Sequence, residues 1–154
     1  MIFRGVLVKW VSFFGLFCSC YMLQKHLVSI PRYLHIKNGW IYYQCRFYYM
    51  STETKSWTES RRYCTERGAD LIIINNRLEQ EYITRVTNAN IVWIGLTDSD
   101  KDGVWKWVDG SALNSFWGPN EPNSRVGDED CVISHYSWAD FPCNYTFAWI
   151  CERN

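Results

Sequence analysis

Acidic and amide side chains crowd residues 98–140, and oxygen-rich sets of this kind hold hard cations. One set is local: Asp98, Asp100 and Asp102 alternate ahead of Gly103, with Asp109 at the twelfth position. The spacing matches an EF-hand loop with Asp in place of the final Glu. The flanks contradict it. An EF-hand needs a helix on each side, whereas VWIGL before the loop and VWKWV after it read as strands. A solvated acidic turn, or a calcium contact of another kind, is the remaining reading. The second set is dispersed: Glu121-Pro122-Asn123, Glu129-Asp130 just before Cys131, and Asp140 three residues before Cys143. It offers four carboxylates and one amide oxygen to a cation that takes about six to eight oxygens. A cis peptide at Pro122 would turn the oxygens of Glu121 and Asn123 to one side. The bland alternative is that these acids serve only solubility beside the cysteines.

Other chemistries fit less well. Adjacent carboxylates such as Glu129 and Asp130 cannot flank a glycosidic bond, and no nucleophile–base constellation appears, so the chain is not expected to be an enzyme. Seven cysteines (Cys18, Cys20, Cys45, Cys64, Cys131, Cys143 and Cys151) form no CxxC pair, and His26, His35 and His135 lack zinc-finger spacing from them. Disulfides in an oxidising compartment are the better reading, with an odd thiol left over. His135 lies near the acidic set but has no obvious partner there.

The 154 residues carry 16 basic and 16 acidic side chains. That balance argues against nucleic-acid binding, which needs a basic surplus. It also conceals an asymmetry: residues 1–97 hold 12 bases and 6 acids, residues 98–140 hold 3 bases and 9 acids. With 47% hydrophobic and 18% aromatic residues, the chain can bury a core and is not disordered. Trp93, Trp105, Trp107 and Trp149 lie in short apolar runs and read as core rather than ligand platform; Trp138 reads as structural support for Asp140.

The elements follow from local signals. Arg4 and Lys9 precede an apolar run over 10–18, so residues 1–23 read as a signal peptide or as a type II signal anchor spanning 6–23. Residues 24–38 read as a linker and 39–154 as one folded domain, secreted or held at the cell surface. The sequon at Asn144 agrees with export, although so short a motif also arises by chance. Aromatic alternation over 39–50 predicts a strand or strand pair. Ser56 with Glu59 fits a capping box and Gly68 a helix stop, which predicts a helix over 57–67. Residues 69–74 read as a buried strand. Asn75 or Asn76 caps a second helix, with Leu78, Tyr82, Ile83 and Val86 on one face. Further short runs lie at 91–96, 104–108, 131–134 and 147–151, and the acidic stretch 109–130 between them reads as a long functional loop.

The ordered set WIGL (93–96), EPN (121–123), EDC (129–131), WAD (138–140) and WIC (149–151) resembles the C-type lectin-like domain, over about 39–154. The segments around Trp40 and Ala69 look most like the dendritic-cell and asialoglycoprotein-receptor branch of vertebrate calcium-dependent lectins. The resemblance implies an α+β double-loop fold with two helices and small antiparallel sheets, stapled by Cys64–Cys151 and Cys131–Cys143 disulfides. It implies a Ca2+ ion held by Glu121, Asn123, Glu129 and Asp140, which also bind the sugar. An EPN tripeptide in this family goes with mannose, fucose or N-acetylglucosamine. The implied partners are glycans or glycoproteins in innate recognition, bound weakly by one domain and usefully by a cluster or homo-oligomer.

Three positions depart from the pattern. Ala139 stands where sugar-binding members usually carry an Asn that ligates calcium. An auxiliary calcium site would map to Asp98, Asp102, Glu129 and Asp130, but Ser124 takes a position where an acid is common. Cys45 sits two residues from the place of a cysteine in long-form members. The alternative these departures leave is a lectin-like domain that binds a protein ligand without calcium or sugar.

Overall fold

The computed structural model describes residues 34–36, 39–43, 46–111, 113, 115–125 and 127–154. The expectations for residues 1–33 and for Cys18, Cys20 and Cys45 lie outside these residues. Among those described, the chain runs β1 (Leu34–Ile36), β2 (Trp40–Tyr43), β3 (Arg46–Met50), α1 (Trp57–Thr65), β4 (Asp70–Leu71), α2 (Arg77–Val86), β5 (Val92–Thr97), β6 (Lys106–Trp107), β7 (Cys131–Ser134), β8 (Trp138–Phe141) and β9 (Ala148–Arg153). β1 falls inside the segment read as linker and pairs with β2, Leu34 opposite Tyr42. No helix among the described residues is long and apolar enough to cross a membrane.

Local chemistry sets both helices. Ser56 Oγ accepts the Glu59 N–H at 3.3 Å while the Glu59 carboxylate accepts the Ser56 N–H at 3.3 Å, closing the capping box of α1. At the other end Gly68 adopts φ 67°, a left-handed geometry that glycine reaches without a Cβ clash. Its N–H bonds Thr65 O, and the Ala69 N–H reaches back to Cys64 O, the paired bonds of a Schellman ending. Asn76 caps α2 by accepting the Glu79 N–H at 3.0 Å. One expectation fails here: Leu78 is 68% exposed. The buried residues of α2 are Gln80 and Ile83, with Tyr82 and Val86 half-buried against the core as expected, and Leu78 lies about 200° round the helix from Gln80.

The strands form one connected sheet in the order β1-β2-β3-β9-β5-β7-β8, with β4 on β9 and β6 on β5. Pairing is antiparallel except between β5 and β9, where Val92 lies beside Ala148 and Trp93 beside Trp149 in parallel. That pairing joins the terminal sheet to the sheet that carries the acidic residues. Only Asp70–Leu71 of the expected 69–74 strand enters the ladder; Ile72, Ile73 and Ile74 are buried without extending it. Gly95 explains the close approach of β5 to that segment. A Cβ there would stand 2.8 Å from Leu71 O and 2.8 Å from a Val108 methyl, and the Gly95 N–H donates to Ile72 O at 2.8 Å.

Two apolar clusters lie on the sheet. One gathers Tyr48, Ile72–Ile74, Ile83, Ile94, Leu96, Trp107, Val132 and Trp138. The other holds Trp40, Trp57, Trp93, Ile133 and Trp149 around both disulfide-bearing strands. Trp93, Trp107, Trp138 and Trp149 are buried as expected, and Trp105 is half-buried edge-on to Trp117. Cys64 is bonded to Cys151 and Cys131 to Cys143. The first bridge spans 87 residues, which on the chain-entropy argument is worth about 4–5 kcal/mol.

Candidate functional site

Strand β8 is the backbone of the site. The Trp138 N–H donates to Phe116 O at 2.9 Å and its carbonyl accepts from Gly118 at 2.9 Å, fastening the end of the long loop to the sheet. Glu121 N–H then bonds Gly118 O at 3.1 Å, and the Glu121-Pro122 peptide is cis. Two residues beyond Trp138, the Asp140 carboxylate receives the Asn123 N–H at 2.9 and 3.0 Å and the Ser124 N–H at 2.8 Å. Asn123 Nδ2 donates to Glu121 Oε2 at 2.6 Å, and Asn123 Oδ1 accepts the Arg125 N–H at 2.9 Å. The structure therefore brings Glu121, Asn123 and Asp140 into one bonded group.

The electrostatics of that group are strained by like charge. Burial pushes the Glu121 carboxyl above its usual range, and the hydrogen bond and negative charge of Asp140, then the charge of Glu129, push it the same way. Burial acts upward on Asp140 as well. The Glu121 hydrogen bond and the N–H groups of Asn123 and Ser124 outweigh it and hold Asp140 low. Asp140 is 2% and Glu129 5% exposed, and Glu129 Oε2 is buried with no hydrogen-bond partner among the described residues.

A second acidic group sits at the end of β5. Asp98 Oδ2 accepts the Gly103 N–H at 2.8 Å, whereas Oδ1 is buried without a partner among the described residues. Burial raises the Asp98 pKa, and the charges of Asp130 and Asp102 add to it. The Asp130 carbonyl is held by Thr97 Oγ1 at 2.6 Å and by the Asp98 N–H at 3.2 Å. Strands β5 and β6 flank this turn, so the rejected EF-hand has no helices on which to stand.

The donors suit a hard cation in type. They are carboxylate and amide oxygens, and the orphaned buried oxygens of Glu129 and Asp98 carry lone pairs that no group among the described residues satisfies. Among the described residues, no three acidic, His or Cys side chains close on one point, so the set is an oxygen-lined rim rather than a finished cage. Ala139 is half-buried and packs against the second apolar cluster, and Asn144 is exposed. His135 contributes its carbonyl to Gln80 and Thr84, with its ring 4.3 Å from that of Tyr136.

A profile of the Lectin C-type domain matches residues 53–153. The chain belongs to that family. C-type lectin domain family 4 member F of Mus musculus is 37% identical over 128 residues, covering 77% of this chain and 23% of that protein. C-type lectin domain family 17, member A of Homo sapiens is 40% identical over 119 residues, covering 75% and 31%. The chain thus spans less than a third of the length of these curated relatives. Among solved structures, the cow C-type carbohydrate-recognition domain of CD23, in the presence of GlcNAc2Man3 oligosaccharide, superposes with a TM-score of 0.72 at 33% identity, covering 77% of this chain and 95% of that one. The lectin family is one of recognition domains, not enzymes, and the α+β double-loop architecture is its fold.

In this Lectin C-type domain the strand that carries Asp140 is held by a residue with no local signature in the sequence. Gln80, on α2, accepts the Trp138 indole N–H at 2.7 Å and donates to Ser134 Oγ at 3.0 Å. A glutamine in a helix carries no local mark of such a role. The backbone N–H groups that hold Asp140 carry none either.

Proposed function

We propose that this domain is a calcium-dependent carbohydrate-recognition module for mannose-, fucose- or N-acetylglucosamine-type glycans, working outside the cell from a secreted or type II cell-surface protein. The bonded group of Glu121, Asn123 and Asp140 carries the reading, because it joins the EPN tripeptide to β8 as one unit. Glu121, Asn123, Glu129 and Asp140 would hold the principal Ca2+. Asp98, Asp102 and Asp130, with Glu129, are proposed for an auxiliary ion. When bound, calcium supplies a site that takes two sugar hydroxyl oxygens in place of water.

The protein's own part is hydrogen bonding. Glu121 and Glu129 accept from sugar hydroxyls, Asn123 Nδ2 donates, and Asp140 keeps the Asn123 and Ser124 backbone in place. Water competes for each of these bonds, so a single site binds weakly and clustering in an oligomer supplies useful affinity. No bond is made or broken. The relative solved with a GlcNAc2Man3 oligosaccharide supports the sugar class.

The test is retention of the chain on mannose and galactose columns with calcium, followed by chelator. Retention on mannose that EDTA releases is the expected result, and Asn123→Ala should abolish it. No retention, with no calcium-dependent rise in melting temperature, would overturn the reading in favour of a protein ligand bound without calcium.

A further inference from the structure

Away from the acidic rim, a groove of about 640 Å³ runs between α2 and the base of the long loop. Its floor is spent. The Gln80 amide is occupied by Trp138, Ser134 and His135, and Thr84 Oγ1 donates to the Gln80 and His135 carbonyls. The groups left to meet a ligand stand on the walls. Arg77, Glu81 and Arg85 follow one another at four-residue spacing along α2, and Trp117 and Tyr136 join the lining from the long loop and from the β7–β8 turn.

The charge is not evenly shared. Glu81 Oε1 accepts from Arg77 Nε at 3.0 Å, which commits one guanidinium and neutralises the groove's one acid. Arg85 makes no side-chain hydrogen bond or ion pair among the described residues, so the groove keeps one uncommitted guanidinium. The rings differ in the same useful way. Trp117 is fixed edge-on against Trp105 at 4.9 Å and Trp138 at 5.9 Å, while Tyr136 is 71% exposed.

We propose that this groove is a second binding site, for an anionic saccharide whose pyranose bears a carboxylate or a sulfate. Arg85 takes the anion, since a guanidinium offers paired N–H donors that match either group. Trp117 and Tyr136 take the C–H face of the ring, which is apolar and flat enough to lie on an aromatic plane. The groove is open, with charge on the α2 wall and aromatic rings from the loop and the β7–β8 turn, a pairing that suits an anionic sugar better than a wholly apolar ligand. Glu121, Asn123, Glu129 and Asp140 take no part, so binding here needs no calcium.

Calorimetric titration of the 154-residue chain in EDTA tests this, with 3′-sialyllactose, galactose 6-sulfate, lactose and inorganic sulfate as probes. Saturable binding of either charged sugar supports the site, and the arm that binds identifies the anion. Arg85→Ala should weaken it about tenfold, as loss of one charge-assisted contact does. Tyr136→Ala should weaken it about threefold, and both side chains are exposed enough to be replaced without unfolding. Affinity should also fall as salt rises. Three results would each overturn the proposal: no charged sugar bound in EDTA, lactose bound as well as sialyllactose, or inorganic sulfate bound as tightly as the sulfated sugar. Chelator silences the calcium-dependent reading throughout, so failure here leaves that reading untouched, and the converse also holds.

Discussion

Gln80 and Trp138 are 58 residues apart and share a buried hydrogen bond of 2.7 Å between the amide oxygen and the indole N–H. The same Trp138 ties residues 116–118 to β8 through two backbone bonds, and Asp140 two residues on holds Asn123 and Ser124. One side chain of α2 thereby sets the position of the strand on which the acidic rim is built.

Gln80→Leu should therefore act on both stability and site. The buried indole N–H would lose its acceptor, which costs about 1–3 kcal/mol. Urea unfolding of the variant should show a lower midpoint with an unchanged slope, and calcium should raise its melting temperature less than it raises the wild type's. Wild-type behaviour in both measurements would show that Trp138 does not depend on Gln80.

Asp140→Ala removes the acceptor for two backbone N–H groups at once. The expected loss is about 1–2 kcal/mol, because Ser124 is exposed and water can replace part of what is lost. The calcium-dependent rise in melting temperature should vanish. A retained rise would exclude Asp140 as a ligand.

How far these relationships were legible depends on their range. The capping box of Ser56 and Glu59, the Asn76 cap and the Gly68 stop were readable because each lies within a few residues of its partner. The acidic rim was readable as a set of oxygen donors, though not as a bonded group, since Asp140 is held by backbone donors with no side-chain signature. Leu78 faces solvent where periodicity places it inward, because periodicity counts apolar residues and gives no weight to the buried polar Gln80. The run 71–74 announced burial, and burial alone does not specify a ladder partner. Strand β8 has a weak strand signal because its buried positions are Trp138 and the acidic Asp140, while Ala139 and Phe141 between and after them pack toward the second cluster.

Ala139→Asn tests the gap in the ligand set. The position is only half-buried, so an amide there adds an oxygen donor at modest packing cost. Calcium affinity, measured by calorimetry, should rise severalfold, and mannose retention should rise with it. An unchanged affinity would mean that position 139 faces the core alone.

Stability should also respond to pH through Glu152, far from the rim. Its carboxyl is pushed up to about 7 by burial, against the pull of Arg46 at 2.8 Å and with the charges of Glu79 and Asp109 adding to the rise. One of its oxygens, Oε2, has no hydrogen-bond partner among the described residues. The folded chain thus keeps a proton that the unfolded chain releases near pH 4.5, so this contribution is fully present below about 4.5 and fades as pH rises to about 7. The full difference is about 3 kcal/mol at most. Glu152→Gln cannot titrate and keeps an acceptor for Arg46. Thermal melts of both proteins between pH 4.5 and 8 should show the wild type losing stability relative to the variant across that window. A difference between the two that stays flat with pH would mean that Glu152 ionises in the folded protein near its ordinary value.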